Sequence, residues 1–370
     1  MPPTPDTLTA TYRVRSTAAD ISARATAIAV EQSVEMPVAP ITDPFVQGTI
    51  IGKVEAIKDI GDGLFDVRIT LSTATVGDDP GQLMNMLFGN SSIQDDLTLQ
   101  DAELPLSLLA KFGGPRQGMA GLREKVGATG RALTASALKP QGLPAADLGV
   151  LAGRLALGGL DYIKDDHGLA EQTYSPFHAR VPAVQKAVLA ARKSTGRATR
   201  YLPALSGTLD TMRRQLAIAR AEGVDCVLIA PMICGVSTFH ALVTEHPDIA
   251  FITHPALAGA SRIAPPLHFG KLFRLFGADG VVYPNYGGRF AYSPETCRDI
   301  GAAGKAPWGG LKTTIPIPAG GMTAERAPEM LAFYGADVML LIGGGLLAAG
   351  ADLTNATARF VKAVEGYRYT

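Results

Sequence analysis

From about Ala132 the chain repeats one pattern: a short apolar run of strand character, then a longer amphipathic stretch of helical character. The apolar runs fall at 133–138, 162–164, 200–204, 226–230, 250–253, 281–283, 313–318 and 338–342. Gly159-Leu160-Asp161, Gly223-Val224-Asp225, Gly277-Ala278-Asp279 and Gly335-Ala336-Asp337 form a weak internal echo before every second run. A glycine that ends a helix as the chain turns into a sheet accounts for it. Strand-helix alternation predicts a parallel sheet, and eight such units predict a closed (β/α)8 barrel, with a doubly wound open sheet as the alternative.

The residues before this repeat read differently. Strand character over 8–15 is followed by Thr17-Ala18-Ala19-Asp20, which resembles a capping box opening an alanine-rich helix to about Glu31. Two strands over 50–57 and 64–71 flank Gly61-Asp62-Gly63, a hairpin signal, and a helix near 80–87 follows. This order predicts a small α+β domain of the ferredoxin-like kind over residues 1–120, and a barrel over 121–370.

Lysine plus arginine balance aspartate plus glutamate at 34 each, which gives no reason to expect a nucleic acid or a membrane surface as partner. The longest apolar run, 338–351, is broken by Gly343-Gly344-Gly345 and is too short to span a bilayer. Cys226, Cys234 and Cys297 form no metal or disulfide framework, which fits a reducing compartment, so a cytoplasmic protein acting on small molecules is the expectation.

The polar centre of the barrel sequence is 158–168, where the strand Tyr162-Ile163-Lys164 runs into Asp165-Asp166-His167. Taken alone, such a run is also compatible with a charged, solvated loop. Barrels, however, present catalytic groups on the loops after their strands. The other strand tips carry Lys139, His254, Asn285, Gly320-Gly321 and Gly343-Gly344-Gly345. The two glycine clusters follow the seventh and eighth strands, where barrels commonly hold phosphate on backbone N–H groups. A lysine in a closed pocket is usable for proton transfer beside a carbonyl, which makes Lys139 a candidate, and His254 is a candidate acid or base. His178, His240, His246 and His268 have no such placement and read as structural.

At these residues the chain resembles the large subunit of ribulose-bisphosphate carboxylase, and more closely that family's non-carboxylating RuBisCO-like members. Leu138-Lys139-Pro140 is similar to the family's first-strand Lys-Pro motif, 158–166 to its Gly-Gly-Leu-Asp-Phe-x-Lys-Asp-Asp motif, and the two glycine clusters to its phosphate loops. The resemblance implies that Lys164 takes up carbon dioxide as a carbamate. With Asp166, and with His167 standing where the family has a second carboxylate, it would then hold Mg²⁺, Mn²⁺ or another divalent ion. It implies phosphate binding at Gly320, Gly321, Gly343 and Gly344, and catalytic roles for Lys139, Lys164 and His254. It further implies a homodimer or an assembly of dimers, in which Glu31 and Asn90 of one subunit complete the site of the other.

Several positions depart from the carboxylating members. The loop lysine after the sixth strand is absent from Tyr283-Pro284-Asn285-Tyr286-Gly287-Gly288-Arg289, the second lysine of the first-strand motif is Gln141, and basic residues that bind a second phosphate are replaced by Pro255 and Val282. A bisphosphate would leave an unpaired charge, so fixation of carbon dioxide on ribulose bisphosphate is not expected. The resemblance implies metal-assisted proton abstraction on a phosphorylated keto sugar, of enolase or isomerase type. The alternatives are a decarboxylase of a branched keto sugar-acid phosphate and a non-catalytic sugar-phosphate-binding protein.

Overall fold

The computed structural model describes residues 6–288, 290 and 292–369. The chain forms two compact units, Met1–Gly113 with Leu257–His268, and Gly114–Ala256 with Phe269–Thr370.

The first unit contains β1 (Thr7–Arg15), the helix Ile21–Glu31, β2 (Lys53–Gly61), β3 (Leu64–Ser72), the helix Pro80–Phe88 and β4 (Leu97–Glu103). The strands pair antiparallel in the order β2-β3-β1-β4. In β1 a period-two pattern buries Leu8, Ala10, Tyr12 and Val14. The capping reading holds in part: the Asp20 N–H donates to Thr17 Oγ1 at 3.2 Å and Thr17 Oγ1 donates to Asp20 Oδ2 at 2.6 Å, but the helix starts only at Ile21, and Asp20, the residue before it, makes no side-chain cap.

Three expectations need correction. β2 begins at Lys53 rather than at residue 50, because Val46–Ile50 closes into a π-helical turn. β4 was not expected at all, since Gln100 and Asp101 interrupt its apolar residues, although Leu97, Leu99 and Ala102 are buried. The unit boundary lies at Gly113/Gly114 rather than near 120, and Leu257–His268 leaves the barrel sequence for the first unit. That segment runs beside β4: the Leu99 N–H donates to the Arg262 carbonyl at 3.2 Å and the Ala264 N–H to the Leu99 carbonyl at 2.8 Å.

The second unit carries β5 (Leu133–Leu138), β6 (Tyr162–Asp165), β7 (Arg200–Leu202), β8 (Cys226–Ile229), β9 (Ala250–Thr253), β10 (Gly280–Pro284), β11 (Ile315–Ala319) and β12 (Met339–Leu341). Every pairing in their sheet is parallel, in the order β7-β6-β5-β12-β11-β10-β9-β8. A bridge between Ala204 and Leu228 joins the two ends, so the sheet is a closed barrel and not an open one.

Alternate residues fill its interior, among them Ala135, Tyr162, Leu202, Leu228, Ile252, Val282, Ile317 and Leu341, with Leu122 in the same cluster. The glycine-x-aspartate echo is explained where the strands begin. Asp161 is clamped by Arg131 at 2.7 and 2.8 Å, Asp225 by Lys125 at 2.9 Å and Asp337 by Arg123 at 2.9 Å, while Asp279 accepts the N–H groups of Gln117 at 2.7 Å and Phe251 at 2.8 Å. The echoed aspartates fasten the closed end of the barrel, and the catalytic candidates lie at the other. No helix among the described residues is long and apolar enough to cross a membrane.

Candidate functional site

Side chains of a strand alternate between its two faces, so the interior residues locate the site groups by counting in twos. Ala135 and Ala137 lead to Lys139, Tyr162 leads to Lys164 and Asp166, and Ile252 leads to His254. Each of these polar groups therefore follows the last apolar layer of the barrel interior.

They meet on Asp166. Its Oδ1 lies 2.7 Å from Lys139 Nζ and 3.3 Å from His167 Nδ1, and Gln141 Nε2 donates to Oδ2 at 3.4 Å. The Asp166 side chain is only 6% exposed, against 39% for Lys139, so the carboxylate anchors a lysine that still reaches solvent. Burial works to raise the Asp166 carboxyl. Hydrogen bonds from His167 and Lys139, with the charges of Lys164 and Lys139, outweigh burial and hold it far below the usual carboxylate range.

Lys164 is buried, and its Nζ donates to the Asp165 carbonyl at 2.9 Å. Burial lowers its pKa to about 8, Lys139 adds to that effect, and the charges of Asp166 and Asp165 oppose it. With a pKa of about 8 the amine is about one-tenth neutral at pH 7, far more than an ordinary lysine. His254 stacks on His167 with ring centroids 4.1 Å apart and planes 10° from parallel. The His254 Nδ1 accepts the Ala256 N–H at 3.1 Å, and burial, then the charges of Lys164 and His167, push its pKa far down. Burial thus favours the neutral imidazole, the form that can accept a proton or a hydrogen bond.

Asp165 points the other way. Its carboxylate takes Arg180 Nε at 3.0 Å, the Tyr201 hydroxyl at 2.7 Å and the Ala204 N–H at 3.1 Å. Asn285 is also turned from the interior: Tyr334 donates to its Oδ1 at 2.6 Å, and its Nδ2 lies 3.1 and 3.2 Å from the sulfurs of Met322 and Met330. Val282 is an interior core residue, and the end of the loop segment at Arg289 lies outside the described residues.

Gly320 and Gly321 follow β11 with φ of 87° and 66°, and both are exposed. A Cβ on Gly321 would meet the Gly288 Cα at 2.6 Å, so this turn admits only glycine there. Gly343 caps the single helical turn Gly344–Leu347, with Gly344 exposed. In the first unit, Asn90 Nδ2 donates to Glu31 Oε1 at 3.0 Å.

Two parts of the site had gone unread. In the sequence Gln141 reads only as a lost lysine, yet it touches Asp166. A cavity of about 200 Å³ also opens beside the imidazoles, lined by His167, His254, Leu205, Ile233 and Cys234 among others. Its two imidazoles are legible in the sequence, but its apolar wall of Leu205 and Ile233 is not. Among the described residues, no three His, Cys, Asp or Glu side chains are grouped to hold a metal ion.

Residues 118–359 match the family model for the ribulose bisphosphate carboxylase large chain, catalytic domain. The 5-methylthioribulose-1-phosphate isomerase of Rhodospirillum rubrum is 60% identical over 362 residues, covering 98% of this chain and 97% of its own. Ribulose bisphosphate carboxylase-like protein 1 of Rhodopseudomonas palustris is 56% identical over 357 residues, covering 96% of this chain and 97% of its own. The crystal structure of a Rubisco-like protein from Rhodopseudomonas palustris aligns with a TM-score of 0.92 at 53% identity, covering 98% of this chain and 99% of that one.

Proposed function

Because the chain belongs to the ribulose bisphosphate carboxylase large-chain family, among its RuBisCO-like proteins, we propose that it isomerises a methylthio-substituted ketopentose 1-phosphate without fixing carbon dioxide. The observation that carries this reading is the Lys139–Asp166 pair at 2.7 Å, set at the barrel's open end beside buried Lys164. The relative that is 60% identical bears the name of such an isomerase, which supports isomerisation as the reading over decarboxylation.

In the proposed reaction the phosphate rests on the exposed turns at Gly320-Gly321 and Gly343-Gly344. Lys139, anchored by Asp166 yet partly exposed, removes a proton from the carbon next to the carbonyl and returns one to a neighbouring carbon, so no co-reactant is consumed. His254, neutral at working pH, orients a substrate hydroxyl.

The donor chemistry here fits a divalent cation in one way. Lys164 offers the neutral amine that a carbamate requires, and Asp166 and His167 stand next to it. Lys164, Asp166 and His167 would hold the ion, which when bound would stabilise negative charge on the substrate oxygen. Lys139 would then share Asp166 with the cation. A second copy of the chain supplying Glu31 and Asn90 completes the proposal.

Incubation of 5-methylthioribulose 1-phosphate in D₂O tests the reaction. The expected result is deuterium next to the carbonyl together with an isomeric product, both lost in Lys139→Met. Absence of exchange from every ketose phosphate tried would overturn it. ¹³C NMR with labelled bicarbonate should show a metal-dependent carbamate signal that Lys164→Met removes. Mixing Glu31→Gln with Lys164→Met subunits, each inactive alone, should restore activity if subunits share sites.

A further inference from the structure

A turn of two glycines cannot hold its own shape. Gly320 and Gly321 have no side chains to restrain them, and both are exposed, so the left-handed conformation they share is imposed from outside. Arg326 Nη1 donates to the Gly321 carbonyl at 2.7 Å. Because the C=O and N–H of a trans peptide point in opposite directions, this bond also aims the Met322 N–H away from the guanidinium. The loop after β10 packs on the same turn with its backbone: a Cβ on Gly288 would meet the Gly320 carbonyl oxygen at 2.9 Å.

Arg326 is itself held from several directions. Glu329, three residues on in the helix Ala327–Tyr334, accepts its Nε and its Nη2, each at 3.0 Å. The guanidinium sits over the Tyr286 ring, 5.5 Å from its centroid, and the Tyr286 hydroxyl donates to the same Glu329 carboxylate at 3.0 Å. Gly287 leaves room for the group, since a Cβ there would lie 3.3 Å from Nη1. The charge of Arg326 is thus already paired, and its N–H groups are engaged by Glu329 and Gly321. A guanidinium so occupied orients backbone and is not a spare cation for an anion. Tyr286, Glu329 and Arg326 together tie the loop after β10 to the turn after β11.

We propose that Arg326 is a positioning residue for phosphate binding: seated on Tyr286 and forked onto Glu329, it fixes the Gly321 peptide and presets the Gly320-Gly321 turn. The proposal rests on the reading that places the substrate phosphate at this turn. Tyr286 and Glu329 act one step further out, through Arg326. A preset turn avoids the entropy cost of ordering two glycines on binding, so loss of Arg326 falls on affinity and not on proton transfer at Lys139.

Calorimetric titration of the full chain with ribitol 5-phosphate tests this, because the polyol carries a phosphate but no carbonyl and reads binding without the reaction. Arg326→Met should weaken binding about tenfold, the loss of one charge-assisted hydrogen bond. Arg326→Lys keeps a donor for the Gly321 carbonyl without the fork, and should lose only about threefold. Glu329→Ala should lose about threefold alone and nothing further beside Arg326→Met, since its effect passes through the guanidinium. In the isomerisation assay Arg326→Met should raise KM about tenfold and hold kcat within about twofold. Gly321→Ala, on an exposed turn, drives a Cβ into Gly288 and reports on the turn itself. If Gly321→Ala abolishes binding while Arg326→Met binds as tightly as the wild type, the proposal is overturned and the phosphate assignment stands. If neither change weakens binding, or the wild type does not bind the polyol, the phosphate assignment falls and the proposal with it. Additive losses for Arg326→Met and Glu329→Ala would also overturn it.

Discussion

Asp165, the last residue of β6, and Asp166, the residue after it, are chemically identical and both buried, yet their carboxylates have different partners on opposite sides of the chain. Asp166 points to the barrel axis, where Lys139 and His167 gather on it and solvent still reaches the lysine. Asp165 points into the helix layer, where burial raises its carboxyl and Arg180, Tyr201 and the Ala204 N–H work against that rise. A one-residue step has exchanged a reactive environment for a closed one. The difference teaches that in a barrel the parity of a residue, more than its type, separates reaction from scaffold.

The largest expected effect lies on the inward face. Lys164→Met removes the buried amine, and activity should fall by about 10⁴-fold, near 5 kcal/mol of transition-state stabilisation. Its melting temperature should not drop, because methionine fills the same space without burying an ammonium charge that the site already disfavours. A variant that unfolded easily while keeping activity would place Lys164 with the scaffold and break the comparison.

On the outward face the signs reverse. Asp165→Asn leaves the fully buried Arg180 without its carboxylate, and breaking such a pair costs about 3 to 5 kcal/mol. Urea denaturation should register that loss, while the protein that remains folded keeps its carbonyl chemistry. Loss of turnover with unchanged stability would show that Asp165 reaches the reacting atoms.

Much of this division was legible in advance. The eight apolar runs coincide with β5 to β12, and Lys139, Lys164, Asp166 and His254 were named from strand tips alone. Periodicity and end chemistry are local, so sequence reports them. β4 was missed because Gln100 and Asp101 mask its alternation at the place where Leu257–His268 comes alongside, a pairing between residues far apart in the chain. Asn285 was misread because the residue before it, Pro284, ends β10 and sets the parity that turns Asn285 toward Tyr334. The β7/β8 cavity was invisible because it is space between side chains, and no single residue announces it.

A smaller effect follows from His254. Its pKa in the folded protein lies below the ordinary 6.5, so between those values the unfolded chain binds a proton that the folded chain does not. Stability is therefore unaffected above pH 6.5 and falls as the pH drops below it, by up to about 1.4 kcal/mol per pH unit for this group. His268, lowered to about 4 by burial, acts with the same sign. Melting temperatures from pH 7 to 5.5 should decline less steeply in His254→Asn than in the wild type. An unchanged slope would mean that the inward-facing imidazole takes up its proton freely.

The smallest effect concerns the outer edge of the inward cluster. Gln141 Nε2 lies 3.4 Å from Asp166 Oδ2, a long contact beside the 2.7 Å lysine pair, so its loss in Gln141→Ala should cost about 0.5 to 1 kcal/mol. That corresponds to a two- to fivefold fall in kcat/KM, roughly. Gly168 offers an independent way to the same contact, because a Cβ there would lie 1.8 Å from Gln141 Nε2 and only the flexible amide end would have to move. Gly168→Ala should then match Gln141→Ala in kcat/KM, and the double variant should be no worse than either single one, since the second change removes a contact already lost. Additive losses would show that Gly168 matters through the backbone of the 165–168 turn. The set of inward groups on which activity depends would then end at Asp166 and His167 and exclude Gln141.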